Sequence, residues 1–349
     1  MSIDIVEMLK EPKMVKVCAP MVRYSKLQFR TLVRRYNCDI CFTPMILADS
    51  FIQSEKARDN EFSTTKEDKP VIVQFAAKTV YDFLNAAEMI APYCNGVDLN
   101  CGCPQRWALK EGYGADLLKK PDLVKDLIYQ TRNRIPNPFT VSVKIRLLKD
   151  IRKTIEFCQI LEKAGVSFLT VHARTPEMRN ESINLDSLKL VRDSVKLPLI
   201  ANGDIKNLEN AKKLYRESNC DAVMAARGIL TNPALFSGHS VTPLTCIQDW
   251  LDITSIIPTQ FLCFHHHLVF MLEKLLPKKS RIFFNNLQNK TDVLEFLDNT
   301  YGIKPRINSE TFEPIKCNFK IPSTDYNKFI ANDEDDLSTN FLGNIFVEL

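Results

Sequence analysis

The chain has 349 residues, too long for one small module and long enough for a barrel of about 250 residues joined to a smaller unit. With 45% hydrophobic and 25% charged residues it falls in the range of soluble globular proteins, which excludes wholesale disorder, and its apolar runs fall far short of the roughly 18 residues a membrane helix needs. The net charge of +4 is uneven: residues 305–349 hold 4 Lys/Arg against 8 Asp/Glu, leaving 42 against 34 for the body, which permits a polyanionic partner without demanding one.

Residues 1–13 mix charged with isolated apolar residues and show no charged segment leading into an apolar one, so a cytoplasmic or nuclear location is expected. From residue 15 onward, short β-branched or apolar runs alternate with stretches at helical spacing, the pattern of a parallel sheet with crossover helices. Eight runs are found, at 15–19, 39–43, 71–75, 96–100, 140–146, 168–172, 198–202 and 222–226, and eight strands close a barrel. Apolar residues three and four apart mark helices at 27–36, 80–91, 123–134, 151–164 and 208–217. The spacing predicts an α/β fold, a (β/α)8 TIM barrel over residues 1–240. The strand signal then stops, and 246–253, 261–276 and 291–301 read as helices, giving a small all-α helical domain over 241–304. Three prolines and an acidic run at 333–336 make 305–349 an extended or disordered tail, expected to be dispensable for folding.

Eleven cysteines without a leader segment read as reduced thiols, mostly buried small hydrophobes. Gly102, Gly112, Gly114, Gly203 and Gly228 cluster in strand-to-helix loops, the face on which such barrels build their sites. Polar or special residues follow all eight strands. The loops after strands seven and eight, Asn202-Gly203-Asp204 and Ala226-Arg227-Gly228, suit a phosphate, while the lack of a GxGxxG after strand one leaves a Rossmann dinucleotide site unsupported. Cys101 and Cys103 have no second ligand pair, so no metal is expected; His265, His266 and His267 point in different directions and read as a solvated or half-buried trio. A free thiol is mostly protonated at neutral pH and can give a proton as readily as it can attack, and His172 is the one base on that face. Lys144 and Arg146 suit stabilising negative charge.

The chain resembles the tRNA-dihydrouridine synthases, flavin enzymes that reduce uridines of tRNA. The resemblance rests on Ala19-Pro20-Met21, Val73-Gln74-Phe75-Ala76, Asp98-Leu99-Asn100-Cys101-Gly102-Cys103-Pro104, Gly112-Tyr113-Gly114-Ala115, Val143-Lys144-Ile145-Arg146, Val171-His172-Ala173-Arg174-Thr175, Ile200-Ala201-Asn202-Gly203-Asp204 and Ala226-Arg227-Gly228. Its wording around 15–25, 43–45 and 103–109 is most similar to the family's eukaryotic subfamily four. The resemblance implies that Pro20, Met21 and Val22 line a tightly bound FMN, that Gln74, Lys144 and His172 hold its ring system and ribityl chain, and that Asn202, Gly203, Asp204, Ala226 and Arg227 hold its phosphate end. It implies Cys103 as general acid, Asn100 and Arg174 as contacts to the target base, NADPH as a transient hydride donor, and tRNA as the partner of a monomer. The family often has Gly where Ala173 and Ala226 stand. Two other readings share these residues: a flavin-dependent reductase of a small pyrimidine or enone, and an inactive tRNA-binding folding aid.

Overall fold

The computed structural model describes residues 3–306 and 313–320. Its sheet consists of β1 (Val15–Cys18), β2 (Ile40–Phe42), β3 (Val71–Ala76), β4 (Gly96–Cys101), β5 (Thr140–Arg146), β6 (Leu169–His172), β7 (Leu199–Asn202) and β8 (Ala222–Ala225). All are parallel, and β1 closes the barrel by pairing with β2 (Val17 opposite Ile40) and with β8 (Val15 opposite Ala222). A two-residue strand, Ile46–Leu47, adds to the upper end of β3. The expected (β/α)8 architecture is the one observed.

Because successive side chains of a strand face opposite ways, each run serves two layers. Val15, Val17, Ile40, Phe42, Ile72, Phe168, Ile200, Ala222 and Met224 fill the lower barrel. The neighbours one position away, such as Val73, Val97, Leu99, Cys101, Val143 and Val171, pack outward against the helices. The short helix Ile5–Lys10, capped by the Asp4 carboxylate on Val6 N and Glu7 N, plugs the bottom with Ile5 and Leu9, both fully buried. Burying such a leucine contributes about 2 kcal/mol. Six residues are too few to show a helical period, and the sequence reading placed no helix there.

Beyond the barrel come helices Leu244–Ile256, Phe261–Leu272, Lys278–Asn285 and Lys290–Tyr301, so the run expected at 261–276 ends sooner and Pro277 opens a separate helix. They join the barrel through the helix Leu27–Arg35: Tyr36 Oη donates to Asp249 at 2.8 Å, and the His267 ring stacks on Phe29 at 4.5 Å and lies against Trp250 at 4.6 Å. Of the histidine trio, expected to be solvated or half-buried, His266 is half-buried and the other two are not. His265 and His267 are buried, bonded to the Phe284 and Tyr24 carbonyls, and fasten the helices in place. Arg306 reaches back to Asp252, and residues 313–319 are docked: Ile315 N donates to Thr64 O, and Phe319 packs edge-on against Phe51 and Tyr93. All eleven cysteines are free and seven are buried.

Candidate active site

Strand parity carries polar side chains into the upper barrel. Asp98, Ser142 and Thr170 stand two residues before Asn100, Lys144 and His172 on the same faces of β4, β5 and β6, with Gln74 opposite Asp98 and Asn202 opposite His172. They form a relay of fixed orientation. The Asp98 carboxylate accepts from Ser142 Oγ at 2.7 Å and from Gln74 Nε2 at 2.8 Å. Since a carboxylate only accepts, Gln74 must turn its amide nitrogen down and its oxygen up, where it accepts from Asn100 Nδ2 at 2.8 Å. Asn100 Oδ1 is left to accept from the backbone N–H groups of Gly102 (3.1 Å) and Cys103 (2.9 Å). Burial lifts the Asp98 carboxyl to about 6, against the hydrogen bonds from Gln74 and Ser142 and the charge of Lys144.

Cys103 therefore sits on a loop whose backbone is gripped from below by Asn100 and from above by Ala115 N, which donates to the Cys103 carbonyl at 2.9 Å. Its half-buried thiol is pushed up by burial, against the pull of the Gln105 backbone and of Arg146 and Lys144, and is protonated at neutral pH. Cys101, two residues earlier, is fully buried in the outer layer with Leu99 and Val97 and cannot reach the mouth.

Burial, reinforced by Arg146, lowers Lys144 to about 8. Its ammonium makes no hydrogen bond or ion pair among the described residues. His172 is driven by burial and by Lys144, Arg146, Arg174 and Arg227 to about 2, so its ring is neutral. Its Nε2 lies 3.2 Å from Arg174 Nη1, a donor only, so Nε2 accepts and Nδ1 carries the proton. Arg174 is 2% exposed and already committed to Asp204, the Glu181 carbonyl and His172. Arg146, read as a charge stabiliser, instead spends its donors on the Gly102, Thr175 and Met178 carbonyls and ties two rim loops together.

On the far side of the mouth Asn202 Nδ2 donates to Met224 O at 2.8 Å. Gly203 has φ of +141°, and a Cβ there would come within 2.4 Å of Ile183 and 3.5 Å of the His172 ring. Ala226 caps the turn Arg227–Thr231, and Arg227 Nη1 donates to Asn180 at 3.2 Å. Pro20 and Met21 are half-buried and Val22 exposed, with Met21 N bonded to Ser25 Oγ. Ala173 faces the outer layer, so its methyl group is turned away from the mouth, whereas Ala226 lines the interior. A flat, phosphate-bearing flavin fits these residues: Lys144 lacks a partner, Gly203 leaves room, Thr170 Oγ1 is buried without a hydrogen bond, and the arginines with Lys144 outnumber Asp98 and Asp204. Sequence reasoning passed over Asp98, Ser142 and Thr170; their in-register alternation with Gln74, Lys144 and His172 was the signal available. No group of three metal-ligating side chains occurs among the described residues, nor any helix long and apolar enough to cross a membrane.

A closed parallel barrel with polar and basic side chains and a protonated thiol at its C-terminal mouth is the architecture of a barrel enzyme. Residues 17–296 match the model of the family described as dihydrouridine synthase (Dus), and the chain belongs to that family, flavin enzymes that draw on NAD(P)H. It is 50% identical over 301 residues to a human protein named as tRNA-dihydrouridine(20a/20b) synthase-like, covering 86% of this chain and 95% of the human one. It is 39% identical over 303 residues to the tRNA-dihydrouridine(20a/20b) synthase of Schizosaccharomyces pombe, covering 86% and 92%. With a rat protein named as tRNA-dihydrouridine(16/17) synthase-like it shares 37% over 257 residues, covering 72% of this chain and 58% of the rat one.

Proposed function

We propose that the protein reduces D-loop uridines of tRNA to dihydrouridine at positions 20a and 20b, with Cys103 as general acid. The observation that carries the reading is a thiol held protonated at the rim of a polar barrel mouth, in a chain that matches the dihydrouridine synthase family over most of its length. The position follows the 20a/20b relatives, 50% identical in the human case against 37% for the 16/17 protein. Their names give positions and no subfamily number, so they lend the subfamily four resemblance no support.

Pro20, Met21 and Val22 line the flavin, Gln74, Lys144 and His172 hold its ring and ribityl chain, and Asn202, Gly203, Asp204, Ala226 and Arg227 hold its phosphate. FMN held by these residues would supply hydride, drawn from NADPH, to uracil C6, which is electrophilic through conjugation with the C4 carbonyl. Cys103 Sγ gives its proton to C5, completing saturation of the C5–C6 bond, and the thiolate recovers a proton from water. Lys144 offsets charge growing on the uracil oxygens. Asn100 and Arg174 are assigned to the base; Arg174 makes that contact by exchanging a bond it now gives to Asp204 or Glu181. The target uracil must leave its stack to reach the mouth, which costs least in a loop. The helical domain, residues 241–304, with Lys278 and Lys279 exposed, contacts tRNA phosphates, and the protein acts as a monomer in the cytoplasm or nucleus.

Incubation of unmodified tRNA with flavin-loaded protein and NADPH, followed by mapping of dihydrouridine, is expected to show conversion at 20a and 20b. Conversion confined to 16 and 17 overturns the position, and conversion nowhere overturns the reading.

A further inference from the structure

Two side chains beside the thiol have no part in the chemistry above. Cys103 Sγ lies 3.6 Å from Gln105 Oε1, and the same oxygen lies 3.1 Å from Trp107 Nε1. The two ends of a glutamine amide look alike, and only their partners tell them apart. Here the partner decides. An indole N–H donates and never accepts, so the atom facing it is the carbonyl oxygen. That oxygen also faces the sulfur, to which sulfur can bond only as an S–H donor; a thiolate there would oppose a negative sulfur to a carbonyl oxygen. Trp107 is itself held, packed half-buried against Ala76, Ala108 and Tyr113.

We propose that Gln105 and Trp107 are positioning residues for the proton donor: the indole locks the Gln105 amide with its oxygen toward Cys103 Sγ, and that oxygen keeps the thiol protonated and aimed. The inference rests on the reading of Cys103 as the acid and assigns the device that keeps it one. Without the indole N–H the amide is free to turn its NH2 toward sulfur, which favours the thiolate. With a carboxylate in place of the amide, the indole bond survives and the thiolate is opposed by a full charge.

The test is the rate of Cys103 alkylation by iodoacetamide as a function of pH, resolved by peptide mass spectrometry on the flavin-loaded protein without tRNA. Trp107→Phe keeps the ring and removes the donor; the midpoint is expected to fall, with alkylation at pH 7 faster by about tenfold, the equivalent of one pH unit. Gln105→Glu is expected to move the midpoint up and slow alkylation by about tenfold. Gln105→Met, similar in length and without the amide oxygen, should follow Trp107→Phe and stands in for it if the aromatic exchange unfolds the loop. A role in packing alone would shift Trp107→Phe and Gln105→Glu the same way or leave both midpoints unmoved, and either result overturns the proposal. Failure of the underlying reading is distinct: Cys103→Ala would then reduce tRNA undiminished while the opposed alkylation shifts persisted.

Discussion

Lys144 joins two opposed demands in one side chain. Burial beside Arg146 brings it to about 8. The unfolded chain holds a lysine proton to about 10.5, so between these values the unfolded state binds more protons and this group's contribution to stability rises with pH. Function has the opposite sign, since the cation that offsets charge on the uracil is lost above about pH 8. Turnover of the wild type is therefore expected to fall above that value, in a pH profile of kcat. Lys144→Met should abolish that limb and cut activity by about 10²-fold, the scale of one electrostatic contact, while holding or raising the melting temperature at pH 7, because an unpaired buried charge is removed. A wild-type profile flat from pH 7 to 9.5 would refute the assignment. Much of this residue-level chemistry could be read from sequence, because Gln74, Asn100, Lys144 and His172 stand in or near the last residues of four strands, where polar side chains interrupt otherwise apolar runs. What could not be read were partners drawn from irregular loops: Arg174 with Asp204, thirty positions apart, or Gln105 with Trp107, two apart, obey no period.

At the scale of elements, the loop after β4 is shaped as much by Gly114 as by the cysteine. Gly114 has φ of +63°, and a Cβ there would stand 2.6 Å from the Cys103 carbonyl and 2.9 Å from its Cβ. Gly114→Ala must part the Cys103 loop from the 112–115 loop and disturb the position of the thiol. The left-handed conformation costs an alanine about 1 kcal/mol and the overlap roughly 1 to 3 kcal/mol more, so the melting temperature should fall and activity should fall further than stability, with flavin retained. Activity within twofold of wild type would mean the loop does not depend on this close approach. The barrel strands were legible to within about a residue because each run serves two buried layers and is apolar or β-branched through most of its length. Short helices such as Ala48–Gln53 and Arg106–Lys110 were not, since one or two turns show too few repeats for a period.

Across the whole molecule, barrel and helices are fastened by aromatic and buried polar contacts, and residues 313–319 cross the barrel's flank beside Phe51 and Tyr93, with the Arg58 guanidinium 5.8 Å from the Phe319 ring. The signal of its docking was present but short: Ile315, Cys317 and Phe319 alternate with Lys316, Asn318 and Lys320, too few repeats to stand out beside the prolines and the acidic run. A chain ending at Arg306 should melt lower by at least about 2 °C, the effect of roughly 1 kcal/mol in a protein of this size, while one ending at Lys320 keeps the packing. Equal melting temperatures for both truncations and the full chain would show the segment to be dispensable.

The central claim joins fold, flavin and thiol, and the formation of dihydrouridine in unmodified tRNA by flavin-loaded wild type and by Cys103→Ala, with NADPH in excess, tests it most directly. Wild type is expected to saturate the target uridines, and the variant to retain flavin but work slower by about 10² to 10⁴-fold, the scale of lost acid catalysis. A flavin-loaded Cys103→Ala protein that matches the wild-type rate would contradict the account.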